Sequence, residues 1–111
     1  MTVTITRDEL RDALAAGTVV LLDTLPAGYY EQAHLPGALN LVESDVARRA
    51  AELVPDLATP VVTYCSNAAC GNSKAVAALL ERAGYTDVRT YRDGIQDWVE
   101  AGLPVETGVP A

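Results

Sequence analysis

Three apolar runs, TVVLLD at 18–23, PVVTY at 60–64 and DVRTY at 87–91, take turns with segments of helical pattern, and this alternation constrains the fold more than any other feature. TVVLLD is apolar on both faces. Such a strand has to be covered on each side, the situation of a central strand in a parallel sheet sandwiched between crossover helices. The intervening segments supply the helices. Thr6, followed three residues later by Glu9, forms a capping box for a helix over 7–16 that Gly17 stops. A second helix is expected over 44–53, with Pro55 and Pro60 bracketing its exit, and a third runs from Ser73, its cap, to a stop at Gly84. A short last helix carries Trp98 on its apolar side and ends at Gly102. Residues 25–41, punctuated by Pro26, Gly28, Pro36 and Gly37, read as a loop with one helical turn, ending in a short strand over 38–41. Val3 to Ile5 is a further short strand candidate. The pattern as a whole specifies an α/β domain with a mainly parallel sheet, whose ligands are expected at the carboxyl ends of the strands.

A chain of 111 residues, half of them hydrophobic and without repeat or linker, is expected to form a single domain over 1–111. Its 15 acidic residues against 8 Lys and Arg give a formal charge of −7, which argues against a grip on nucleic-acid phosphates or anionic lipid. The acidic excess is most simply a solvated surface. No apolar run approaches the roughly 20 residues that span a bilayer, and the start, MTVTITRDEL, lacks the apolar segment of a signal peptide. A cytoplasmic protein, monomeric or weakly dimeric, with no nucleic-acid or membrane partner, is therefore expected.

The two cysteines, Cys65 and Cys70, are too few for a disulfide framework, and in a reducing compartment such a pair is more often catalytic, redox-active or metal-binding. Metal is the weakest of these: a structural zinc site wants about four Cys or His ligands, and only His34 is left to join the cysteines. No metal or other cofactor is implied. Cys65 directly follows the PVVTY strand, and the segment from Ser66 to Asn72 leads into a helix. Backbone N–H groups of a tight loop, with those at the helix start, make a cradle for an anion, and a thiolate is an anion. In that setting a cysteine pKa falls from about 8.5 to between roughly 3.5 and 7.5. The small residues Ser66, Asn67, Ala68, Ala69 and Gly71, with Asn72 and Ser73, let the backbone curl around the sulfur and leave room for a substrate. Cys65 is thus the expected nucleophile, set against the plainer reading of a buried, inert thiol. Cys70 either fills space or, within a Cα separation of about 7 Å, brings a second sulfur to Cys65.

The other polar candidates read more plainly as scaffold. In HLPGA the proline and glycine make His34 part of a structural turn, and Asp23 at a strand end is expected to bond loop backbone. Trp98 and the tyrosines at 29, 30, 64, 85 and 91 are expected in the core or at its rim.

Several of these pieces occur together in one known family. From Val19 to Glu106 the chain resembles the rhodanese-like, or sulfurtransferase, family: the strand ending LLD at Asp23, YYEQAHLPGALNL with His34, Pro36, Gly37, Ala38 and Asn40, VVTYC, the AGY at 83–85, and DGIQDWVEAGLPV. The resemblance implies a five-stranded, mainly parallel sheet flanked by helices on both faces. It also implies that Cys65 takes a sulfane sulfur from a small donor such as thiosulfate, a persulfide or a polysulfide, holds it as a persulfide and passes it to a thiol or protein acceptor. The loop departs from the family. Active loops commonly read Cys-x-x-Gly-x-Arg-Ser, whereas CSNAACGNS over 65–73 is two residues longer and has Cys70 where the arginine stands. An arginine's fork binds oxyanions, so its loss weakens the expectation of thiosulfate. Lys74 is the only basic residue nearby in sequence, and the helix start can turn it away. Two further readings stand beside sulfur transfer: Cys65 and Cys70 as a thiol-disulfide reductase pair, and a non-catalytic module that docks onto a partner.

Overall fold

The computed structural model describes residues 3–109. Along the chain run β1 (Val3–Thr4), α1 (Arg7–Ala16), β2 (Val20–Asp23), α2 (Ala27–Gln32), β3 (Leu39–Asn40), α3 (Val46–Leu53), β4 (Val61–Tyr64), α4 (Asn72–Arg82), β5 (Val88–Tyr91) and α5 (Gly94–Glu100). The strands form one parallel sheet in the order β1-β5-β4-β2-β3.

Alternation along the strands explains why both faces are covered. Leu22 and Val61 point to one side, where Val46 and Ala50 of α3 and Val76, Ala77 and Leu80 of α4 pack on them. Leu21 and Val62 point to the other, against Leu10 of α1, Tyr30 of α2 and Trp98 of α5. Full burial of side chains such as Leu22 and Leu80 contributes about 1.5–3 kcal/mol each. The apolar runs thus specify the layers, and the parallel sheet follows from them.

The element ends show where backbone bonding overrode the pattern. The capping box at Thr6 and Glu9 is present, and Gly17 ends α1 at φ 68°. Thr18 is not part of β2, because its N–H and hydroxyl both bond the carbonyl of Ala13 at the end of α1. The helix expected from residue 44 starts as a 3₁₀ turn over Glu43–Asp45 before α3. Ser73 is not the cap of α4. That helix begins at Asn72, after Gly71 and with no side-chain cap, and Ser73 is buried one residue inside it.

The order β1-β5-β4-β2-β3 sets the location of the site. From β2 the chain moves to one edge and from β4 to the other, so these two strands flank the topological switch point, where open α/β sheets hold ligands. Cys65 lies at the end of β4.

Candidate active site

The segment after β2 and the first turn of α5 grip the start of the 65–71 loop. The carbonyl of Tyr64 accepts both the N–H and the hydroxyl of Thr24, at 3.0 and 2.9 Å. Beyond it, the carbonyls of Cys65 and Ser66 accept the N–H groups of Ile95 and Gln96, each at 3.0 Å. The first turn of α5 therefore bonds directly to the loop. Asn67 makes the turn itself: its side-chain oxygen takes the N–H of Ala69, its carbonyl that of Cys70, and its amide reaches the Gln96 oxygen, all at 3.0 Å.

Inside this turn the two cysteines are free thiols of unequal exposure. Cys65 is 1% exposed, its sulfur 3.5 Å from the Cys70 carbonyl and 3.4 Å from the Ser73 hydroxyl. Cys70 is half-buried and lines a cavity of about 240 Å³ together with Ala68, Ala69, Lys74, Thr90 and Arg92. Burial pushes the Cys65 thiol up, and its hydrogen bonding with Cys70 adds to this, while the hydroxyl and N–H of Ser73 pull the other way. For Cys70 burial is again the largest influence, but it is outweighed. Hydrogen bonds from the Cys65 side chain, the N–H groups of Asn72 and Ser66 and the Ser66 side chain bring its pKa below the ordinary value.

The loop was expected to stabilise a thiolate on Cys65, yet burial and the Cys70 contact push the Cys65 thiol up, while hydrogen bonds from Cys65, Asn72 and Ser66 hold Cys70 below its ordinary value. Alkylation rates follow thiolate content. Labelling with iodoacetamide, mapped by peptide mass across pH, is therefore expected to rise first at Cys70 and later at Cys65. The reverse order would show that the charge sits on Cys65.

Apart from Tyr29, which stands out in solvent, the scaffold residues fall where expected. His34 Nδ1 lies 2.7 Å from the Tyr30 carbonyl, and its ring stacks on Tyr30 with centroids 3.8 Å apart. Its backbone bridges Glu106 in both directions. None of these partners is in the thiol loop. Asp23 accepts the Leu25 N–H at 2.9 Å and the Tyr64 hydroxyl at 2.8 Å. Tyr30, Tyr64, Tyr85, Tyr91 and Trp98 are buried, and Tyr29 is exposed.

Ser73 has a function that a cap would not have, as its hydroxyl is a partner of the Cys65 sulfur. Lys74 does not turn away but lines the Cys70 cavity. Two residues went unnoticed in the sequence. Arg92 follows β5 directly, and its place at a strand's carboxyl end was the available signal. Gly94 sits at φ 70°, and a Cβ there would meet the Cys65 oxygen and the Ser66 carbonyl at 2.6 Å.

Comparison with known proteins agrees with this geometry. A curated relative, the HTH-type transcriptional regulator Rv0324 of Mycobacterium tuberculosis, is 39% identical over 106 residues, covering 96% of this chain and 46% of the regulator. The chain thus spans about half the length of that relative. The thiosulfate sulfurtransferase GlpE of Actinobacillus succinogenes is 29% identical over 103 residues, 93% of this chain and 89% of GlpE. The solved structure of the human single-domain sulfurtransferase TSTD1 matches with a TM-score of 0.75 at 26% identity, over 90% of this chain and 97% of that one. The Rhodanese-like domain model covers residues 6–101, from the cap of α1 through the thiol loop to the end of α5, and the chain belongs to that family.

Proposed function

We propose that this chain is a sulfurtransferase that takes a sulfane sulfur from thiosulfate, a persulfide or a polysulfide onto Cys65 and passes it to a thiol or another nucleophile. The observation that carries the reading is the position of Cys65 at the end of the central strand β4, its sulfur held near the Cys70 carbonyl and the Ser73 hydroxyl with a second free thiol in the same loop. Relatives named as sulfurtransferases, GlpE and TSTD1, support it. As the Cys65 sulfur bonds to the sulfane atom, its proton passes to solvent. The bond between the sulfane atom and the rest of the donor breaks, and the donor leaves with the electron pair. An acceptor thiolate then attacks the outer sulfur and departs with it, and Cys65 recovers its proton.

Two free thiols in one loop favour a second reading. Cys70 attacks the inner sulfur of the Cys65 persulfide, hydrosulfide leaves, and a disulfide remains. Intact mass after exposure to thiosulfate or polysulfide separates the two. Native protein is expected to gain one sulfur, and Cys65→Ser to gain none while staying folded. If Cys70 resolves the persulfide, native protein releases hydrosulfide and loses two hydrogens, whereas Cys70→Ser keeps the sulfur. An adduct that survives in Cys65→Ser removes Cys65 from the role, and two thiols that stay slow and unloaded leave only a partner-docking module.

A further inference from the structure

One wall of the thiol loop is the first turn of α5, and side chains from α1, β5 and α5 fix that turn. Ile95 and Gln96 give their N–H groups to the carbonyls of Cys65 and Ser66, each at 3.0 Å. First-turn N–H groups have no partner inside their own helix, so they are free to hold the loop, and their aim is the aim of the helix. α5 has only 7 residues, and a helix this short takes its direction from tertiary contacts. Asp97, directly after Gln96, supplies such contacts. Its Oδ2 accepts the Tyr91 hydroxyl at 2.5 Å, and its two oxygens accept Arg7 Nη1 at 3.1 and 3.2 Å. Tyr91 is fully buried at the end of β5, in register with Tyr64, and its ring meets Trp98 edge-on at 6.5 Å. Burial pushes the pKa of the Tyr91 hydroxyl up and its bond to Asp97 adds to this, so it stays a donor at neutral pH. Arg7 is the first residue of α1. An exposed pair such as Arg48 with Asp45 joins neighbours on one turn and contributes little. The Arg7–Asp97 pair instead bridges positions 90 apart in sequence. The clasp closes the turn from Tyr91 to Asp97 around both donor residues and pins it to α1.

We infer that Asp97 is a positioning residue for sulfur transfer: gripped by Tyr91 and Arg7, it sets the direction in which Ile95 and Gln96 hold the loop carbonyls, and through them the place of the Cys65 sulfur. The inference rests on the sulfurtransferase reading for the reaction that is positioned, but the setting of the loop stands apart from it. The route is short. The carbonyl that Ile95 holds belongs to Cys65 itself, so a tilt of α5 turns the peptide unit next to the thiol. A reacting atom misplaced by about an ångström costs about 100-fold in rate, and the smaller tilt left by a lost clasp costs about tenfold. Thr24 grips the Tyr64 carbonyl from the other side, with no part in α5. Loss of the clasp therefore loosens one wall of the loop and leaves the other in place.

The test uses Asp97→Ala, Tyr91→Phe, Arg7→Gln and Arg7→Lys, with amide hydrogen exchange read by NMR beside the kinetics of sulfur transfer from thiosulfate or a small persulfide to a thiol. In Asp97→Ala, exchange at Ile95 and Gln96 is expected to quicken about tenfold relative to Thr24, whose N–H bonds the Tyr64 carbonyl. In the same variant kcat is expected to fall about tenfold while the donor KM changes by less than about twofold, as for an interaction that acts on the transition state. Tyr91→Phe keeps the ring and its contact with Trp98, and should show the same pattern at about threefold. Arg7→Lys is expected to recover most of what Arg7→Gln loses, because one nitrogen makes both contacts and an ammonium can replace it. Exchange that quickens equally at Thr24 makes Asp97 an ordinary structural clasp and overturns the inference; Tyr91→Phe and Arg7→Gln decide this even where Asp97→Ala fails to fold. Selective exchange with kcat unchanged, or with a change confined to KM, overturns the link from α5 to the reaction. A native chain that transfers no sulfur sinks the sulfurtransferase reading, and selective exchange then leaves the setting of the loop by Asp97 standing.

Discussion

Alanine at Gly94 is expected to lower sulfur transfer by about 100-fold or more, although this residue lies outside the thiol loop and carries no chemistry. Its backbone sits at φ 70°, where an L side chain costs about 1–2 kcal/mol. The larger effect is contact, because the new Cβ would lie 2.6 Å from the Cys65 oxygen and from the Ser66 carbonyl. Both are backbone atoms, and the N–H groups of Ile95 and Gln96 hold those carbonyls at 3.0 Å. Neither side can give without breaking those bonds, so the loop shifts by about an ångström, enough to misplace a reacting sulfur by the margin that costs 100-fold. Gly17→Ala is the control. Gly17 has nearly the same backbone angle, φ 68°, but nothing lies within 4 Å of its Cβ position. It should lose similar backbone stability and keep its transfer rate. Comparable rates in Gly94→Ala and native protein would show that α5 does not set the loop.

The contrast between Gly94 and Gly17 also shows what the sequence could express. Gly17 was readable because a helix stop is a local event: Thr6, Glu9 and the apolar spacing of α1 announce where the helix starts and where it must end. The layers were readable for a similar reason, since a run such as TVVLLD has no polar face to offer to solvent. Gly94 matters through residues nearly 30 positions away, and no periodicity encodes that distance. The position of Cys65 at the end of a central strand was legible because it is a consequence of topology, and the topology was legible. The direction in which the loop N–H groups point was not. It depends on the turn that Asn67 makes and on Ser73 being drawn inside α4, where its hydroxyl faces the Cys65 sulfur instead of capping the helix.

Asp23→Ala is expected to destabilise the fold by about 2–4 kcal/mol, because it orphans two buried donors. The carboxylate is fully buried. One oxygen takes the Leu25 N–H at 2.9 Å, and the other takes the Tyr64 hydroxyl at 2.8 Å, which in turn accepts the Leu35 N–H at 3.0 Å. Asp23 thus ties the end of β2 to the last residue of β4, directly before Cys65, and to the turn after His34. Asp23→Asn keeps the shape but faces an amide donor toward one of those donors, so about half the loss is expected. Denaturant unfolding measures both. Native pH dependence supplies an independent check. Burial raises the Asp23 pKa despite the opposing hydrogen bonds, so its protonated form is favoured in the folded chain. That contribution is fully present below the unfolded carboxylate range and is lost as pH rises through the folded value. Native protein should therefore gain stability relative to Asp23→Asn as pH falls from neutral toward that range. A difference that shrinks instead would mean that the hydrogen bonds from Leu25 and Tyr64 outweigh burial, and that the site rests on a charged, not a strained, carboxylate.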